Sequence, residues 1–123
     1  MVPPLVYWRA YAVFVGSVAI VEWAKFVNQF FSTVVRLQTE RGHHVVDRGP
    51  YGFVRHPGYL GGILMAISSP VVLGSYWALV PAAAVTVLIL VRTCLEDRTL
   101  HGELPGYEEY TRRVRYRILP SVW

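Results

Sequence analysis

Charge is absent from the middle of this sequence: no Asp, Glu, Lys or Arg occurs between residues 57 and 91. A soluble domain of 123 residues has too little interior to bury so long an uncharged run, whereas a lipid bilayer accepts one. As a single helix the run would reach about 52 Å, well beyond the roughly 30 Å hydrocarbon core. We therefore predict an integral membrane protein whose uncharged run folds back on itself.

Cysteine is also scarce, and so are the features of nucleic-acid binding. The single cysteine, Cys94, excludes an intramolecular disulfide framework, and without a CxxC pair there is no zinc or thiol-redox signature. The formal net charge is +4, but the basic residues flank apolar segments, so we expect no nucleic-acid partner. The first residues lack a basic stretch and a cleavage pattern, so we expect the first apolar segment to stay in the protein.

The pattern predicts an all-α integral membrane protein with about three transmembrane helices, formed by one domain over residues 1–123. Helical spacing of apolar residues extends the first span into an interfacial helix that would end near residue 35. The predicted segments are this span with its extension (1–35), a polar loop (36–58), a helical hairpin (59–95) and a tail (96–123). We expect a short amphipathic helix in the tail over residues 107–114.

The hairpin is predicted from its breakers. A first helix over residues 59–72 should be kinked or ended by Ser68-Ser69-Pro70, a turn should follow at 74–76, and a return helix should cover 77–95. Small residues share one face of the first helix, so another helix or a ligand could approach it closely. A homodimer or a partner subunit would suit this face, which consists of Gly58, Gly61, Gly62 and Ala66.

The distribution of Lys and Arg predicts the orientation in the membrane. Five cations lie between Lys25 and Arg55 and six lie from Arg92 onwards, while the hairpin turn has none. By the positive-inside rule, both polar segments should face the cytoplasm, with the amino terminus and the hairpin turn outside. We expect a multi-pass protein of the cell inner membrane with its site on the cytoplasmic side.

Chemistry-bearing residues cluster where the polar loop meets the hairpin. Arg55, His56 and the hydroxyls of Tyr51 and Tyr59 could converge on a ligand that is part polar and part apolar. The alternative is that Arg55 and Tyr59 only anchor a helix at the lipid headgroups. Arg92 and Glu96 are four residues apart, so they should share a helix face at the same membrane level.

A metal site is not expected in this sequence. His43 and His44 are adjacent in a segment that could be extended, where neighbouring side chains point to opposite sides. They should therefore not face one site together, and no third or fourth ligand follows at suitable spacing.

Four motifs occur in a fixed order around the uncharged hairpin: Gly-Pro-Tyr-x-x-Val-Arg-His-Pro-x-Tyr, Arg-x-x-x-Glu-Asp, Leu-Pro-Gly-Tyr-x-x-Tyr and Val-Arg-Tyr-Arg-Ile-Leu-Pro. From about residue 36 to the end, the sequence resembles the isoprenylcysteine carboxyl methyltransferase family, in particular its bacterial members. The resemblance implies methyl transfer from S-adenosylmethionine to a lipid-like or prenylated acceptor within the bilayer. The implied cofactor contacts are His43, His44, Val45, Val46, Tyr51, His56, Pro57, Gly58, Tyr59 and Glu96.

The implied roles differ among these residues. Glu96 would accept hydrogen bonds from ribose hydroxyls or the amino group, and His56 with backbone amides would hold the methionine carboxylate. The rings of Tyr51 and Tyr59 would pack against the sulfonium or the adenine. Arg92, as the catalytic residue, would pair with a carboxylate acceptor.

The sequence departs from the family in two respects. Asp97 stands where the family usually has a second Glu, and the chain offers one helix before the loop where family members usually have more. The sequence is also compatible with three other functions. They are a phospholipid N-methyltransferase, an NADPH-dependent enzyme similar to sterol reductases, and an inactive membrane scaffold.

Overall fold

The computed structural model describes residues 2–31 and 42–123. Within these ranges the chain is all-helical, without a β-strand, which confirms the predicted fold class. A short 3₁₀-helix at Gly49–Gly52 precedes the second long helix. The α-helices are α1 (Pro4–Val27), α2 (Pro57–Val72), α3 (Leu79–Glu103) and α4 (Tyr107–Arg113).

Two of these helices, α1 and α3, are long and apolar enough to span a membrane. Large apolar side chains on their outer surfaces are exposed, among them Leu88, whose exposed fraction is 67%. Helix α2 is apolar but has only 16 residues. It would reach about 24 Å, short of the roughly 30 Å hydrocarbon core. The structure thus supports a membrane protein with two candidate spans among the described residues, and the predicted number of about three spans stays a prediction.

Helix α1 ends earlier than its apolar spacing predicts. The backbone of Asn28 is extended, with φ −117° and ψ 102°, and its Oδ1 accepts a hydrogen bond of 2.9 Å from the Phe30 amide. This side chain offers the backbone an alternative to the helix, so the helix ends at Val27. The predicted helical extension is therefore wrong over residues 28–31, and the rest of it lies outside the described residues.

The hairpin forms as predicted, but its helices have different limits. Pro57 begins α2, where a missing N–H costs nothing, and the helix continues past Pro70 to Val72. Ser68-Ser69-Pro70 was expected to kink or end this helix; the helix does not end at these residues, and it finishes at residue 72 as predicted. Two hydrogen bonds close the turn, from the amide of Ser75 to the carbonyl of Pro70 at 2.8 Å and from the amide of Gly74 to the carbonyl of Val71 at 3.0 Å. Gly74 has a positive φ of 79°. Helix α3 continues past residue 95 to Glu103.

Small residues let α1 and α2 approach closely. A Cβ added at Gly61 would lie 2.5 Å from Val21 Cγ2 and 2.9 Å from the backbone oxygen of Ser17. The Ser17 hydroxyl is buried and donates 2.6 Å to the carbonyl of Phe14 in its own helix. The small-residue face predicted on α2 is thus covered partly by α1 of the same chain.

A small core forms where the chain leaves the apolar region. It contains Leu104, Tyr107, Tyr110 and Val114, with Val45 and Leu100 packed against it. Helix α4 therefore uses its two tyrosines to close the polar end of α3. After α4, the carbonyl of Tyr116 accepts a hydrogen bond of 2.9 Å from the amide of Arg55. The carbonyl of Arg117 accepts one of 2.8 Å from the amide of His56. These bonds join the tail to the start of α2.

We expect Gly61→Ala to destabilise the protein, because the new Cβ would collide with backbone of α1 that has little room to move. The free energy of unfolding should fall by about 1–3 kcal/mol, a typical effect of overpacking. Unfolding in detergent micelles, followed by circular dichroism, measures this. The control is Gly62→Ala, whose Cβ would lie 3.5 Å from Ile89 Cδ1, an ordinary contact. Equal stability of the two variants would contradict the close approach of α1 and α2.

Candidate functional site

A cavity of about 730 Å³, including its mouth, lies at the polar ends of α2 and α3. One wall is the start of α2, a second is the end of α3 with α4, and a third is the segment around residues 43–46. Apolar and charged side chains both line it, as a ligand with both characters would require.

The start of α2 is held rigidly at this cavity. Pro57 fixes the first helical residue, and His56 before it is non-helical with ψ 63°. Arg55 and His56 are both buried, and their amides are bound by the tail as described above. Gly58 leaves room for the ring of Phe31, because a Cβ there would lie 2.4 Å from Phe31 Cε2.

Asp97 is the polar centre behind the cavity. Its side chain is 5% exposed, and its Oδ2 accepts from Arg55 at 3.1 Å and from Arg117 Nε at 3.3 Å. Its Oδ1 lies 3.3 Å from His56 Nε2 and 2.7 Å from the hydroxyl of Tyr107. One carboxylate therefore joins the start of α2, helix α3, α4 and the tail.

Tyr59 links the cavity to Arg92, whose side chain does not line the cavity. Its hydroxyl donates to Glu96 Oε2 and accepts from Arg92 Nε at 2.8 Å. The Arg92 guanidinium also lies 5.7 Å from the centre of the Tyr59 ring. Arg92 and Glu96 share a face of α3, as their spacing predicts, and the tyrosine hydroxyl is the group on which both converge.

The adjacent histidines face the same side, contrary to the prediction. The ring of His43 stacks on Phe30 at 4.3 Å, the ring of His44 meets the same ring edge-on at 4.9 Å, and both line the cavity. Residues 43–47 are irregular and pair with no strand, so side chains do not alternate as they would in a sheet. Within residues 2–31 and 42–123, no group of three metal-ligating side chains is close enough to hold a metal ion.

Three buried tyrosines around the cavity stay protonated at neutral pH. Burial raises the pKa of Tyr51 to about 12, and burial raises the pKa values of Tyr107 and Tyr110 well above the ordinary range. For Tyr107 the hydrogen bond to Asp97 raises the pKa further. The Tyr110 hydroxyl donates 2.6 Å to the carbonyl of Tyr51. These groups are hydrogen-bond donors at pH 7, not bases.

The structure brings together most of the residues singled out from the sequence. The cavity is lined by His43, His44, Val45, Val46, Tyr51, His56, Gly58, Tyr59 and Glu96. Pro57 and Arg92 are not part of the lining: Pro57 is buried at the start of α2, and Arg92 lies beyond the Tyr59 hydroxyl. Whether these residues bind a cofactor stays a prediction.

Other lining residues were missed in the sequence. They are Asn28, Phe30, Phe31, Tyr107, Tyr110, Leu100 and Leu104, together with Arg55, which was noted at the loop but not selected as a contact. Tyr107 and Tyr110 are three residues apart in a motif already recognised, so their shared helix face was a usable signal. The aromatic pair at 30 and 31 carried no such signal, because it was assigned to a helix that does not extend so far.

We expect Asp97→Asn to destabilise the protein strongly, because the buried guanidinium of Arg55 would lose its counter-charge. The free energy of unfolding should fall by about 3–5 kcal/mol, as when a buried pair loses one partner. The matched control is Glu108→Gln, which breaks the exposed 3.2 Å pair with Arg112 and should change stability by less than about 1 kcal/mol. Unfolding in detergent compares the two, and a similar small effect would show that Asp97 is not the polar centre.

Comparisons with known proteins give the family. The model of the isoprenylcysteine carboxyl methyltransferase (ICMT) family matches residues 10–102. The Lamin-B receptor of Drosophila melanogaster is 30% identical over 100 residues, which cover 78% of this chain and 14% of that protein. A Delta(14)-sterol reductase of Mus musculus is 33% identical over 90 residues, which cover 71% of this chain and 22% of the relative.

A methyltransferase is also among the relatives. The probable protein-S-isoprenylcysteine O-methyltransferase of Oryza sativa subsp. japonica is 28% identical over 91 residues, covering 68% of this chain and 45% of that protein. The chain thus spans less than half the length of these relatives. Because the family model covers most of the sequence, the chain belongs to the isoprenylcysteine carboxyl methyltransferase family.

Proposed function

We propose that this protein is a membrane methyltransferase that uses S-adenosylmethionine to methylate a carboxylate on an amphiphilic, isoprenylcysteine-like acceptor. The observation that carries the proposal is the Tyr59 hydroxyl, which joins Glu96 on the cavity wall to Arg92 outside the lining. The Tyr59 side chain would thus lie between the cofactor in the cavity and Arg92, the cation that would bind an anionic acceptor. Membership of the family and the rice methyltransferase relative support the same activity.

The side chains of the cavity suit S-adenosylmethionine. Glu96 offers a carboxylate to hydroxyl or ammonium groups, and the rings of Tyr51 and Tyr59 offer faces to a positive sulfonium. The polar loop contributes one wall through His43 and His44, whose rings contact the ring of Phe30. Leu100 and Leu104 supply an apolar patch where the adenine could pack.

The bound cofactor would supply an electrophilic methyl group, which an ionised carboxylate displaces in line. Such an acceptor is already deprotonated at pH 7, so the reaction requires no general base. The protein must align the two groups and exclude water from them. Arg92 would align the acceptor by pairing with its carboxylate, and the Tyr59 hydroxyl would fix the position of the Arg92 side chain next to the cavity.

We propose that the acceptor reaches Arg92 sideways from the bilayer. Arg92 lies on α3, whose neighbouring residues Val91 and Leu95 expose apolar side chains on the outer surface. A cation on an apolar helix is costly in lipid and is generally retained for a function. By the positive-inside count, the site would face the cytoplasm and the protein would lie in the cell inner membrane. A homodimer or a partner subunit remains part of this proposal.

Cofactor binding tests the proposal first. Isothermal titration of the detergent-purified protein with S-adenosylmethionine and S-adenosylhomocysteine should give saturable binding. Glu96→Gln should weaken it about tenfold or more, because a charge-assisted hydrogen bond is lost. Glu103→Gln, which changes an exposed carboxylate at the end of the same helix, is the matched control and should bind as the wild type does. Absence of binding by folded protein would favour a scaffold.

A second candidate function is an NADPH-dependent reduction. The observation that favours it is the identity to the Delta(14)-sterol reductase of Mus musculus, which exceeds that to the rice methyltransferase. NADPH is therefore titrated in the same experiment. Tight binding of NADPH without binding of S-adenosylmethionine would replace the methyltransferase proposal with this one.

Arg92 should act on the acceptor and not on the cofactor. We expect Arg92→Gln to lower methyl transfer to a farnesylated cysteine about 100-fold, with S-adenosylmethionine affinity nearly unchanged, because a hydrogen bond to a charged group is worth about 1.5–3 kcal/mol. The assay follows labelled methyl groups, with Arg98→Gln, an exposed change on the same helix, as the control. Phosphatidylethanolamine is offered in parallel. Its methylation with unchanged rate in Arg92→Gln would favour a phospholipid N-methyltransferase instead.

A further inference from the structure

The Arg55 side chain lines the cavity, and one of its donors has no partner among the described residues. The side chain is 6% exposed, and one Nη donates to Asp97 at 3.1 Å. Its Nε is buried and has no hydrogen-bond partner among the described residues. Buried polar groups without a partner are rare in native proteins, and one at a cavity wall indicates a ligand group that completes it.

The charges around Arg55 favour an anion at this point. Asp97 faces two guanidiniums, those of Arg55 and Arg117, so this group carries one uncompensated positive charge even with His56 neutral. The Arg117 side chain is 35% exposed and is screened by water, whereas Arg55 is not. The carboxylate that lines the cavity, Glu96, accepts a hydrogen bond from the Tyr59 hydroxyl. An anionic ligand group would therefore balance the charge of Arg55.

We propose that the Arg55 guanidinium binds the carboxylate of the amino-acid portion of the cofactor, an inference that rests on the proposed function. S-adenosylmethionine carries a single anionic group, this carboxylate, and a guanidinium is the side chain best suited to it. The sequence assigned this task to His56. In the structure His56 Nε2 already faces Asp97 at 3.3 Å and the His56 ring stacks on Tyr59, so this nitrogen is engaged with Asp97.

Comparison of two ligands tests the proposal. S-adenosylhomocysteine and its decarboxylated analogue share the adenosine, thioether and amine, and differ only in the carboxylate. Isothermal titration of the wild-type protein should show a preference of about 10- to 100-fold for S-adenosylhomocysteine, as expected for a charge-assisted hydrogen bond. In Arg55→Gln the preference should disappear. In Arg55→Lys, which keeps a cation beside Asp97 but lacks the planar guanidinium, the preference should fall at least fivefold.

The matched control is Arg117→Gln. This change also removes a cation from Asp97, but Arg117 is not among the residues that line the cavity. It should therefore retain the wild-type preference. Arg55→Lys carries the test should Arg55→Gln fail to fold.

The outcomes separate this inference from the proposed function. Wild-type protein that binds S-adenosylhomocysteine but prefers it less than threefold would overturn the role of Arg55 and leave the methyltransferase proposal intact. Equal loss of the preference in Arg55→Lys and Arg117→Gln would also overturn it, because the effect would then arise from Asp97. Folded wild-type protein that binds neither ligand would overturn the proposed function itself.

Discussion

The buried carboxylate of Asp97 is the interaction on which the polar half of this protein depends. Residues 55–56, 107 and 117 belong to three separate segments, and these meet because the Asp97 carboxylate binds side chains from all three. A charge so deeply buried is stable only with charged and hydrogen-bonded partners around it. The same requirement places Arg55 and His56 at the wall of the cavity. The Asp97 carboxylate therefore determines both the stability of this half of the protein and the geometry of the candidate site.

The membrane explains why polar chemistry is confined to one end of the molecule. Hydroxyl groups within the apolar helices donate to carbonyls of their own helix, as Ser68 does to Leu64 at 2.7 Å and Thr93 does to Ile89 at 2.8 Å. Such bonds satisfy polar groups where water is absent. The charged partners Arg92, Glu96 and Asp97 begin only where α3 nears its polar end. A site at this level can meet a water-soluble cofactor and a lipid acceptor together.

Several features were predictable because they depend on local pattern. The uncharged run required a membrane, the breakers Pro70 and Gly74 placed the hairpin turn, and the ordered motifs identified the family. The predictions that were wrong relied on the periodic spacing of side chains, in places where another contact decides the local structure. Asn28 ends α1 by bonding the Phe30 amide, and the irregular loop turns His43 and His44 to one side. Periodic spacing alone contains no information about either effect.

The sequence by itself determined the fold class, the membrane environment, the family and most residues that line the cavity, because these follow from hydropathy, turn chemistry and motif order. Only the tertiary structure decided which side chains bind each other. It joined Arg92 to Glu96 through the Tyr59 hydroxyl, and it engaged His56 with Asp97 while leaving Arg55 Nε without a partner among the described residues. Such pairings depend on ångström distances between segments far apart in the chain, which no local pattern encodes.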